Sequence, residues 1–357
     1  MKIVLSGGGT LGSVTPLLAI AKIYKKENSE ARFLWVGTKN GVEKKLVEDE
    51  NIPYYTISSG KWRRYFSGYN FIDLFKIFFG FIQSLFFLIK HRPDLLITVG
   101  GFVSVPLHLA GHILRIPAWV HQQDVKLSLA NKIMARFAQK NTAANKYCMD
   151  CTIYKNAEFI GNPVRLTNSV SKIEAKAFFN IKDDSPVIFI LGGGTGSNNI
   201  NTVTCEIVKK LPKNWHFIHL TGLYRDNNQE EEAKKINPNY RAYKFFKKEI
   251  DYAYIAADAV VTRGGLGTLT ELSYFKKPCV IIPMFRTHQE LNGKMVVDND
   301  AGIVLEEGEN LAKDLVESLM KIIENLEQSQ EMGKNLAVVL PVTPPFKIIE
   351  IIEKLTT

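Results

Sequence analysis

Two apolar runs in this 357-residue chain are each followed directly by a glycine-rich loop and then by an amphipathic stretch. The first is Lys2–Ser6 before Gly7–Gly12, and the second is Pro186–Leu191 before Gly192–Gly196. A buried strand that turns through glycines into a helix is typical of the start of a doubly wound α/β domain. The chain therefore begins such a domain twice, and its length also favours two domains over one core.

Apolar runs alternate with amphipathic stretches in both halves, which predicts parallel sheets with helices on both faces. In the first half we expect strands at Lys2–Ser6, Arg32–Gly37, Tyr54–Ile57, Leu95–Val99, Ala118–His121 and Asn141–Ala144. In the second half we expect strands at Pro186–Leu191, Trp215–Leu220, Ala242–Phe246, Ala259–Thr262, Cys279–Pro283 and Gly302–Leu305. Two of the expected helices are Leu269–Phe275 and Leu291–Val297, and the polar segment Gly161–Lys182 is expected to be an irregular linker.

Positive charge is concentrated in the first half of the chain. Residues 1–160 contain 21 Lys and Arg against 11 Asp and Glu, a net charge of +10, whereas the remainder has a net charge of −1. This asymmetry indicates either an anionic partner, such as nucleic acid, a phospholipid surface or a phosphorylated substrate, or simply a basic surface without a partner.

Composition excludes several classes of protein. Hydrophobic residues make up 46% and charged residues 23%, which excludes a disordered chain, and four Cys in this length agree with a reducing compartment. No apolar run reaches the roughly 18 residues of a transmembrane helix. The apolar stretch at the N-terminus ends after a few residues at a glycine loop, so it is too short for the apolar region of a signal peptide. We therefore expect a cytoplasmic protein without a membrane span.

One expected helix, Tyr69–Lys90, carries seven of the 21 Phe residues. One helical stripe is expected to bury it on the sheet: Phe71, Phe75, Phe78, Ile82, Leu85 and Ile89. Other apolar residues remain, and a basic aromatic cluster, Lys61–Tyr65, precedes the helix, as in helices that lie in a membrane surface. A core or dimer-interface helix is the alternative. The candidate membrane-associating residues are Trp62, Arg63, Arg64, Phe71, Phe75, Phe78, Phe79 and Phe86.

The first glycine loop, Gly7–Gly12, matches G-x-G-x-x-G between a strand and a helix, so its N–H groups predict an anion site. It is a poor match to a nicotinamide site, because the next strand ends in Gly37-Thr38 without an acid for a ribose hydroxyl. It is not a P-loop, because no Lys follows its last glycine.

The segment Arg263–Glu271 is more informative. It follows an expected strand and opens a helix, where bare N–H groups suit a diphosphate. Thr268 adds a hydroxyl, and the Glu271 carboxylate can accept hydrogen bonds from ribose hydroxyls. The alternative is an ordinary glycine turn with a surface Glu. Together with the Gly192–Gly196 loop, the pattern favours a nucleotide-sugar site.

These residues resemble the MurG family, the peptidoglycan N-acetylglucosaminyltransferases of the GT-B fold. The resemblance covers nearly the whole chain. It rests on Gly8–Pro16, Gly100–Pro106, His121–Asp124, Asn131-Lys132, Gly161–Arg165, Gly192–Asn201, Arg263–Glu271, Gln289 and Asn292. It implies two doubly wound Rossmann-like domains that face an interdomain cleft.

The resemblance also implies residue roles. Glu271 would hold the ribose of UDP, Phe246 would lie beside uracil, and Gln289 would bind the sugar hydroxyls. Arg165 would reach the nucleotide from the linker. The full donor-binding set that it implies is Thr10, Leu11, Gly12, Asp124, Arg165, Gly194, Thr195, Phe246, Gly265, Leu266, Gly267, Thr268, Leu269, Thr270, Glu271, Gln289 and Asn292.

The chain departs from the family pattern at the expected general base. The family has His after the first glycine loop, but this chain has Ser13, which is not a base at neutral pH. The family's Glu and Asn are Gln122 and Asp124 here, and Gly194 stands where the family often has Ser. Asp124, with His121 and Ser13 as the other candidate catalytic residues, is a hypothesis for proton removal. Alternatively, Asp124 makes only the contact that Asn would make.

The implied activity is inverting transfer of GlcNAc from UDP-GlcNAc to lipid I on the cytoplasmic face of the membrane, with no cofactor, metal or nucleic acid. Residues 1–162 would bind acceptor and an anionic membrane surface, residues 163–340 would bind the donor, and a helix in 341–357 would pack back on the first domain. The alternatives are another GT-B transferase with a lipid acceptor such as diacylglycerol, or a non-catalytic UDP-sugar-binding membrane protein. A nicotinamide dehydrogenase is disfavoured by the missing acid.

Overall fold

The computed structural model of the protein describes residues 1–9, 11–60, 69–150, 157–165, 170–223, 230–247 and 249–357. The chain divides into two compact units. Unit 1 comprises residues 1–165 and 342–357, and unit 2 comprises residues 166–341.

The described part of unit 1 contains a seven-stranded parallel sheet. Its strands are β1 (Lys2–Ser6), β2 (Arg32–Gly37), β3 (Tyr54–Thr56), β4 (Leu95–Thr98), β5 (Ala118–Gln122), β6 (Lys140–Ala143) and β7 (Glu158–Phe159). They lie in the order β3-β2-β1-β4-β5-β6-β7. The helices are α1 (Thr15–Glu27), α2 (Glu43–Asp49), α3 (Tyr69–His91), α4 (Ser104–Ile113), α5 (Leu129–Met134) and, from the end of the chain, α14 (Pro345–Thr356).

The described part of unit 2 repeats this plan with six parallel strands. They are β8 (Val187–Leu191), β9 (His216–Leu220), β10 (Tyr240–Tyr243), β11 (Ala259–Thr262), β12 (Cys279–Ile281) and β13 (Ile303–Val304), in the order β10-β9-β8-β11-β12-β13. The helices are α6 (Lys172–Phe178), α7 (Asn198–Lys210), α8 (Glu230–Ile236), α9 (Ile250–Ala256), α10 (Leu266–Phe275), α11 (His288–Val297), α12 (Leu311–Glu324) and α13 (Leu326–Val339).

Both sheets are doubly wound, which confirms the predicted fold class. The strand order reverses between β1 and β4 in unit 1 and between β8 and β11 in unit 2. Ligands of such sheets bind at the carboxyl ends of the strands where the order reverses. The glycine loops after β1 and β8 lie at these two reversals, so each unit has one edge at which a site is expected.

The strands are apolar because helices cover both faces of each sheet. Every residue of β5, β8 and β9 is buried, and Trp35 and Trp119 are fully buried. Helix α14 returns the end of the chain to unit 1, where Ile348, Ile351 and Ile352 join the core formed by α1 and the central strands.

Several element boundaries differ from those expected. Helix α6 lies inside the expected linker, and its N-terminus has a capping box between Ser171 and Glu174. Helix α10 begins at Leu266, three residues early, because Gly265 acts as its N-cap. Helix α11 begins at His288, and β10 ends at Tyr243, earlier than the expected strand.

Helix α3 buries a different face from the expected one. Its inner face carries small or polar residues, such as the buried Asp73, Gly80 and Ser84. A Cβ at Gly80 would lie 1.9 Å from the carbonyl oxygen of Ser58, so the packing leaves no room for larger side chains. Exposed fractions of 53–71% define what we call the outer face of α3, namely Leu74, Phe75, Phe78, Phe79, Phe86 and Ile89. The expectation that Phe75, Phe78 and Ile89 bury the helix is therefore wrong.

Helix α3 also bears on the expected absence of a membrane span. Among the described residues, Asp73–His91 is long and apolar enough to cross a membrane, with a mean hydropathy of 1.4. By length and composition, the expectation that no segment could span a membrane is therefore wrong for this helix.

The contribution of α14 to unit 1 gives a stability prediction. Ile352 is fully buried, whereas its neighbour Glu353 is exposed. Ile352→Ala removes core methyl groups and leaves a cavity, so we expect the free energy of unfolding to fall by about 2–5 kcal/mol. Urea denaturation measures this, with Glu353→Ala as control. Equal stability of the two variants would contradict the packing of α14 described here.

Candidate active site

The glycine loops after β1 and β4 meet at the carboxyl edge of the unit 1 sheet. Gly9 and Gly101 have φ angles of +86° and +114°, which favour glycine. A Cβ at Gly9 would lie 2.9 Å from the Phe102 ring, and one at Gly101 would lie 3.3 Å from the carbonyl oxygen of Gly8. A side chain at Gly9 would therefore meet the Phe102 ring, and one at Gly101 would crowd the main chain of Gly8.

A buried carboxylate lies beneath the first glycine loop. Glu43, the first residue of α2, is fully buried and accepts hydrogen bonds from the Gly9 N–H (3.3 Å) and the Thr38 N–H (2.9 Å). It also accepts from the hydroxyls of Thr38 (2.6 Å) and Tyr54 (3.1 Å). Burial, and then Glu43 itself, raise the pKa of Tyr54, so this phenol remains a donor. The Gly9 N–H is thus engaged by Glu43, and Glu43 is a residue that the sequence analysis did not identify.

The loop after β5 is held against the end of the first glycine loop. The Gln123 amide donates to the carbonyl oxygen of Gly12 over 2.9 Å. Asp124 follows Gln123 and Ser13 follows Gly12, so one hydrogen bond brings together the two segments that carry the candidate bases. Asp124 and Ser13 are both half-buried.

Gln122 shapes the same loop. Its Nε2 donates to the main-chain oxygens of Asp124 (2.8 Å) and Lys126 (3.2 Å). Its Oε1 accepts from the Asn131 amide at 2.5 Å. An ionised Glu could not donate to the two carbonyl oxygens, so Gln at this position is matched to this loop conformation.

His121 does not lie where a substrate could contact it. It is fully buried on β5, and its ring nitrogens contact the Thr142 hydroxyl (2.8 Å) and Oδ1 of Asn162 (3.2 Å). Burial lowers the pKa of His121 to about 4, so the imidazole is neutral. We therefore correct its expected catalytic role to a structural one.

In unit 2, the start of α10 lies at the carboxyl end of β11. The first N–H groups of a helix have no partner within it and attract anions. Here Leu269 N–H already bonds to the Gly265 oxygen at 3.1 Å, which leaves Leu266, Gly267 and Thr268 as the first-turn donors. A Cβ at Gly265 would meet no atom within 4 Å, so this helix start is open.

Two expected donor-binding side chains on α10 point elsewhere. Leu269 is fully buried. Thr270 is also fully buried, and its hydroxyl donates to the main-chain oxygen of Leu266 over 2.8 Å. The two side chains are thus directed into the core, and donor binding by Leu269 and Thr270 as residues remains a prediction.

Glu271 lies one turn into α10, and a buried residue of the core fixes the orientation of its carboxylate. The fully buried Tyr254 donates its hydroxyl proton to Oε2 of Glu271 over 2.7 Å. Burial, with Glu271 as a further cause, raises the pKa of Tyr254 well above its usual value, so it stays protonated. The half-buried Glu271 carboxylate is thus a fixed acceptor beside the start of α10.

Residues of α11 support the same loop. The fully buried Asn292 donates to the Gly264 oxygen over 2.9 Å. A Cβ at Gly264 would lie 2.7 Å from the main-chain oxygen of Gln289, so the loop and the helix are in close contact. The Gln289 side chain accepts from Met284 N–H at 2.9 Å, which fixes its amide at the edge of the site.

Arg263 connects the loops at the carboxyl edge of the unit 2 sheet. Its buried guanidinium donates to the Ser197 hydroxyl (2.5 Å), to the Ile282 oxygen (3.1 Å) and to the Glu307 carboxylate. These partners follow β8, β12 and β13, respectively. The sequence analysis noted Arg263 only as part of a motif, and its partners are far away in sequence.

The other expected donor residues lie as follows. Gly194 and Thr195 lie in the loop after β8, with Thr195 exposed. Phe246 is only 5% exposed, since its ring packs on Tyr243 and Phe179, with centroids 4.8 and 5.7 Å away. Thr10, Trp62, Arg63 and Arg64 lie outside the described residues, as do the side chains of Leu11 and Phe71.

Arg165 is engaged within unit 1. Its guanidinium pairs with Glu50 at 3.2 Å, and its main-chain oxygen accepts from the Lys22 ammonium at 3.5 Å.

Comparisons with known proteins assign the family. The glycosyltransferase family 28 N-terminal domain matches residues 3–142, and the C-terminal domain of the same family matches residues 187–340. The chain belongs to the MurG family within glycosyltransferase family 28. One relative is the UDP-N-acetylglucosamine--N-acetylmuramyl-(pentapeptide) pyrophosphoryl-undecaprenol N-acetylglucosamine transferase of Clostridium perfringens, 35% identical over 94% of this chain and 92% of the relative. A Bacillus cereus protein of that name, numbered 2, is 33% identical over 93% of each chain.

Solved structures agree with the fold. Acinetobacter baumannii MurG matches with a TM-score of 0.76 at 22% identity over 99% of both chains. A Neisseria meningitidis UDP-GlcNAc 2-epimerase bound to UDP-GlcNAc matches with a TM-score of 0.69 at 17% identity over 99% of this chain and all of that one. The solved structures show the GT-B fold, and the family match together with the relatives shows that the protein is a glycosyltransferase, which confirms the MurG resemblance inferred from its sequence.

Glu43 gives the prediction for this site. Glu43→Ala leaves the part-buried N–H groups of Gly9 and Thr38 without the carboxylate that accepts from them, which costs about 1–3 kcal/mol of unfolding free energy. Glu48→Ala, an exposed change on the same helix, is the control and should have little effect. Chemical denaturation of both variants measures the difference. Equal stability of the two would show that Glu43 does not hold the loop.

Proposed function

We propose that this protein transfers N-acetylglucosamine from UDP-GlcNAc to lipid I, the undecaprenyl-diphospho-N-acetylmuramoyl-pentapeptide, to give lipid II. One observation carries the proposal: the open start of α10 is followed one turn later by Glu271, held in place by Tyr254. This pairing suits a nucleoside diphosphate, with N–H groups for phosphate and a carboxylate for ribose. The names of the curated relatives, matched along most of their length, support this donor and acceptor.

Unit 2 is proposed to hold the donor. The N–H groups of Leu266, Gly267 and Thr268 would face the diphosphate, and Gln289 would bind sugar hydroxyls. As the sugar bond breaks, negative charge develops on the departing UDP. Fixed N–H dipoles at a helix start stabilise such charge without reorganising, and stabilisation of this kind is a large contribution to catalysis. Arg263 keeps this site in shape because it connects the loops around it.

Unit 1 is proposed to activate the acceptor, with Asp124 as the general base. The acceptor hydroxyl attacks the anomeric carbon from the face opposite UDP, its proton passes to a base, and configuration inverts. Ser13 cannot take that proton at neutral pH, and His121 is buried and engaged. Asp124 is half-buried in the loop that Gln123 joins to Gly12, which supports assigning the proton to its carboxylate.

The outer face of α3 is proposed to associate with the cytoplasmic face of an anionic membrane. Its six exposed apolar residues are accompanied on α3 by the exposed Lys76 and Lys90, and the first 160 residues carry a net charge of +10. Exposed apolar and basic residues together favour an interfacial helix. Such an arrangement would bring the enzyme to a lipid-linked acceptor.

Transfer of radiolabelled GlcNAc from UDP-GlcNAc to a short-chain lipid I analogue tests the reaction. We expect a labelled disaccharide product with a β linkage. Labelling of diacylglycerol in place of lipid I would contradict the proposed acceptor. Donor binding without transfer to either acceptor would indicate a binding protein and overturn the proposal.

Replacement of Asp124 tests the assigned base. Asp124→Asn keeps size and polarity but removes proton affinity, so we expect kcat to fall by about a hundredfold or more while UDP-GlcNAc binding is unchanged. Asp49→Asn, an exposed change on α2, is the control. Near-normal turnover of Asp124→Asn would refute the assignment.

Sedimentation with vesicles of about 30% anionic phospholipid tests the membrane surface. A triple variant, Phe75→Ser, Phe78→Ser and Phe79→Ser, should reduce vesicle binding by at least about a hundredfold. Each Phe side chain that becomes buried in the membrane contributes about 1.5–3 kcal/mol to binding. Ile173→Ser with Val338→Ser is the control, because these exposed apolar residues lie in unit 2. Unchanged binding by the triple variant would overturn this role of α3.

A further inference from the structure

Gln123 is the last side chain in a continuous chain of hydrogen bonds that crosses unit 1, and every bond of the chain is buried except the part-buried one to Gly12. The chain starts at Trp119, whose indole N–H donates to the Thr142 hydroxyl over 2.7 Å. Thr142 contacts Nδ1 of His121 at 2.8 Å, and Nε2 of His121 contacts Oδ1 of Asn162 at 3.2 Å. All four residues have at most 1% of their surface exposed.

The chain continues to the first glycine loop. Nδ2 of Asn162 donates to Oε1 of Gln123 at 3.3 Å, and Nε2 of Gln123 donates to the carbonyl oxygen of Gly12 at 2.9 Å. The main-chain oxygen of Gln123 also accepts from the buried Asn145 amide at 2.8 Å. Gln123 is thus fixed at both its side chain and its backbone.

Each bond of this chain can have only one direction. The Gly12 carbonyl oxygen can only accept, so Gln123 turns its amide N–H to Gly12 and its oxygen to the Asn162 amide. Oδ1 of Asn162 is then the acceptor that faces Nε2 of His121, and Nδ1 of His121 accepts the Thr142 proton. A neutral imidazole that accepts at Nδ1 carries its proton at Nε2 and donates it to Asn162. The Asn162 amide then donates to Gln123, and Gln123 donates to Gly12. Buried bonds aligned in this way polarise one another and favour a single arrangement.

The chemistry of the last bond requires glutamine. Gln123 must accept from Asn162 and donate to Gly12 at once, which an amide does and an ionised carboxylate does not. An ionised Glu at this position would also direct negative charge at the Gly12 oxygen. Ser13 follows Gly12 and Asp124 follows Gln123, so the bond sets the spacing of the two segments that carry the proposed chemistry.

We propose that Gln123, fixed by Asn162, is a positioning residue that holds the first glycine loop and Asp124 in register for the transfer step. The proposal rests on the proposed function for its catalytic consequence. It assigns no contact with substrate to Gln123. It separates Gln123 from the donor groups proposed in unit 2, namely the start of α10, Glu271 and Gln289.

The test compares Gln123→Glu with Gln139→Glu. Gln139 accepts from Ala118 N–H through Oε1 at 2.7 Å, a bond that a carboxylate keeps, so this matched change should be neutral. Gln123→Glu should lower kcat with the lipid I analogue about tenfold or more, as expected when the hydrogen bond that positions the loop is lost, while the Kd for UDP-GlcNAc stays within about twofold. Amide exchange of residues 8–14, followed by mass spectrometry, should be accelerated.

The pH profile separates positioning from general damage. Burial raises the pKa of a Glu at such a position, and its protonated form can again donate to Gly12. The ratio of Gln123→Glu to wild-type kcat should therefore rise between about pH 8 and about pH 6. A second variant, Asn162→Asp, keeps the acceptor for His121 but loses the donor to Gln123, and should change exchange and kcat in the same direction. Asn162→Asp tests the inference if Gln123→Glu does not fold.

The outcomes are distinct. Wild-type kcat and unchanged loop exchange in Gln123→Glu would overturn the inference, and so would a loss of kcat that Gln139→Glu shares or that is the same at both pH values. Failure of wild-type transfer, with faster loop exchange in Gln123→Glu, would overturn the proposed function while supporting the role of Gln123 in ordering the loop.

Discussion

Parallel strand pairing constrains everything else in this protein. Because all strands of a sheet run the same way, their carboxyl ends share one edge, and the strand order reverses between β1 and β4 and between β8 and β11. Each reversal brings two loops together, and glycines at these loops permit backbone contacts that a Cβ would prevent. The candidate site residues follow from this placement.

Buried polar groups then give the loops their shape. Arg263 connects the loops after β8, β12 and β13, and Glu43 accepts N–H donors beneath the first glycine loop. Burying a charge is costly unless hydrogen bonds compensate for it, and each of these groups has several. Arg263 and Glu43 therefore lie buried at the two sheet edges where the chemistry is proposed to occur, and their hydrogen bonds stabilise the loops there.

Sequence patterns predicted the strands and glycine loops well, because period and composition are local signals. They failed where a residue's hydrogen-bond partner is distant in sequence, as for Glu43 and Gly9. They also failed where apolar residues occupy every side of a helix. In α3 apolar residues occur on every side of the helix, so a Phe stripe could not identify the inner face. Gly80 and Ser84 were the informative residues, since close packing admits only small side chains there. His121 resembled a catalytic residue, and only its burial excluded that role.

A nucleotide sugar is proposed to bind where α10 begins, and Glu271 is proposed to recognise it. Calorimetric titration of UDP-GlcNAc into the wild-type protein and Glu271→Gln tests this, with the exposed Glu317→Gln on α12 as control. A lost bond to a charged acceptor predicts a Kd about tenfold higher or more for Glu271→Gln alone. An unchanged Kd for Glu271→Gln would contradict the account.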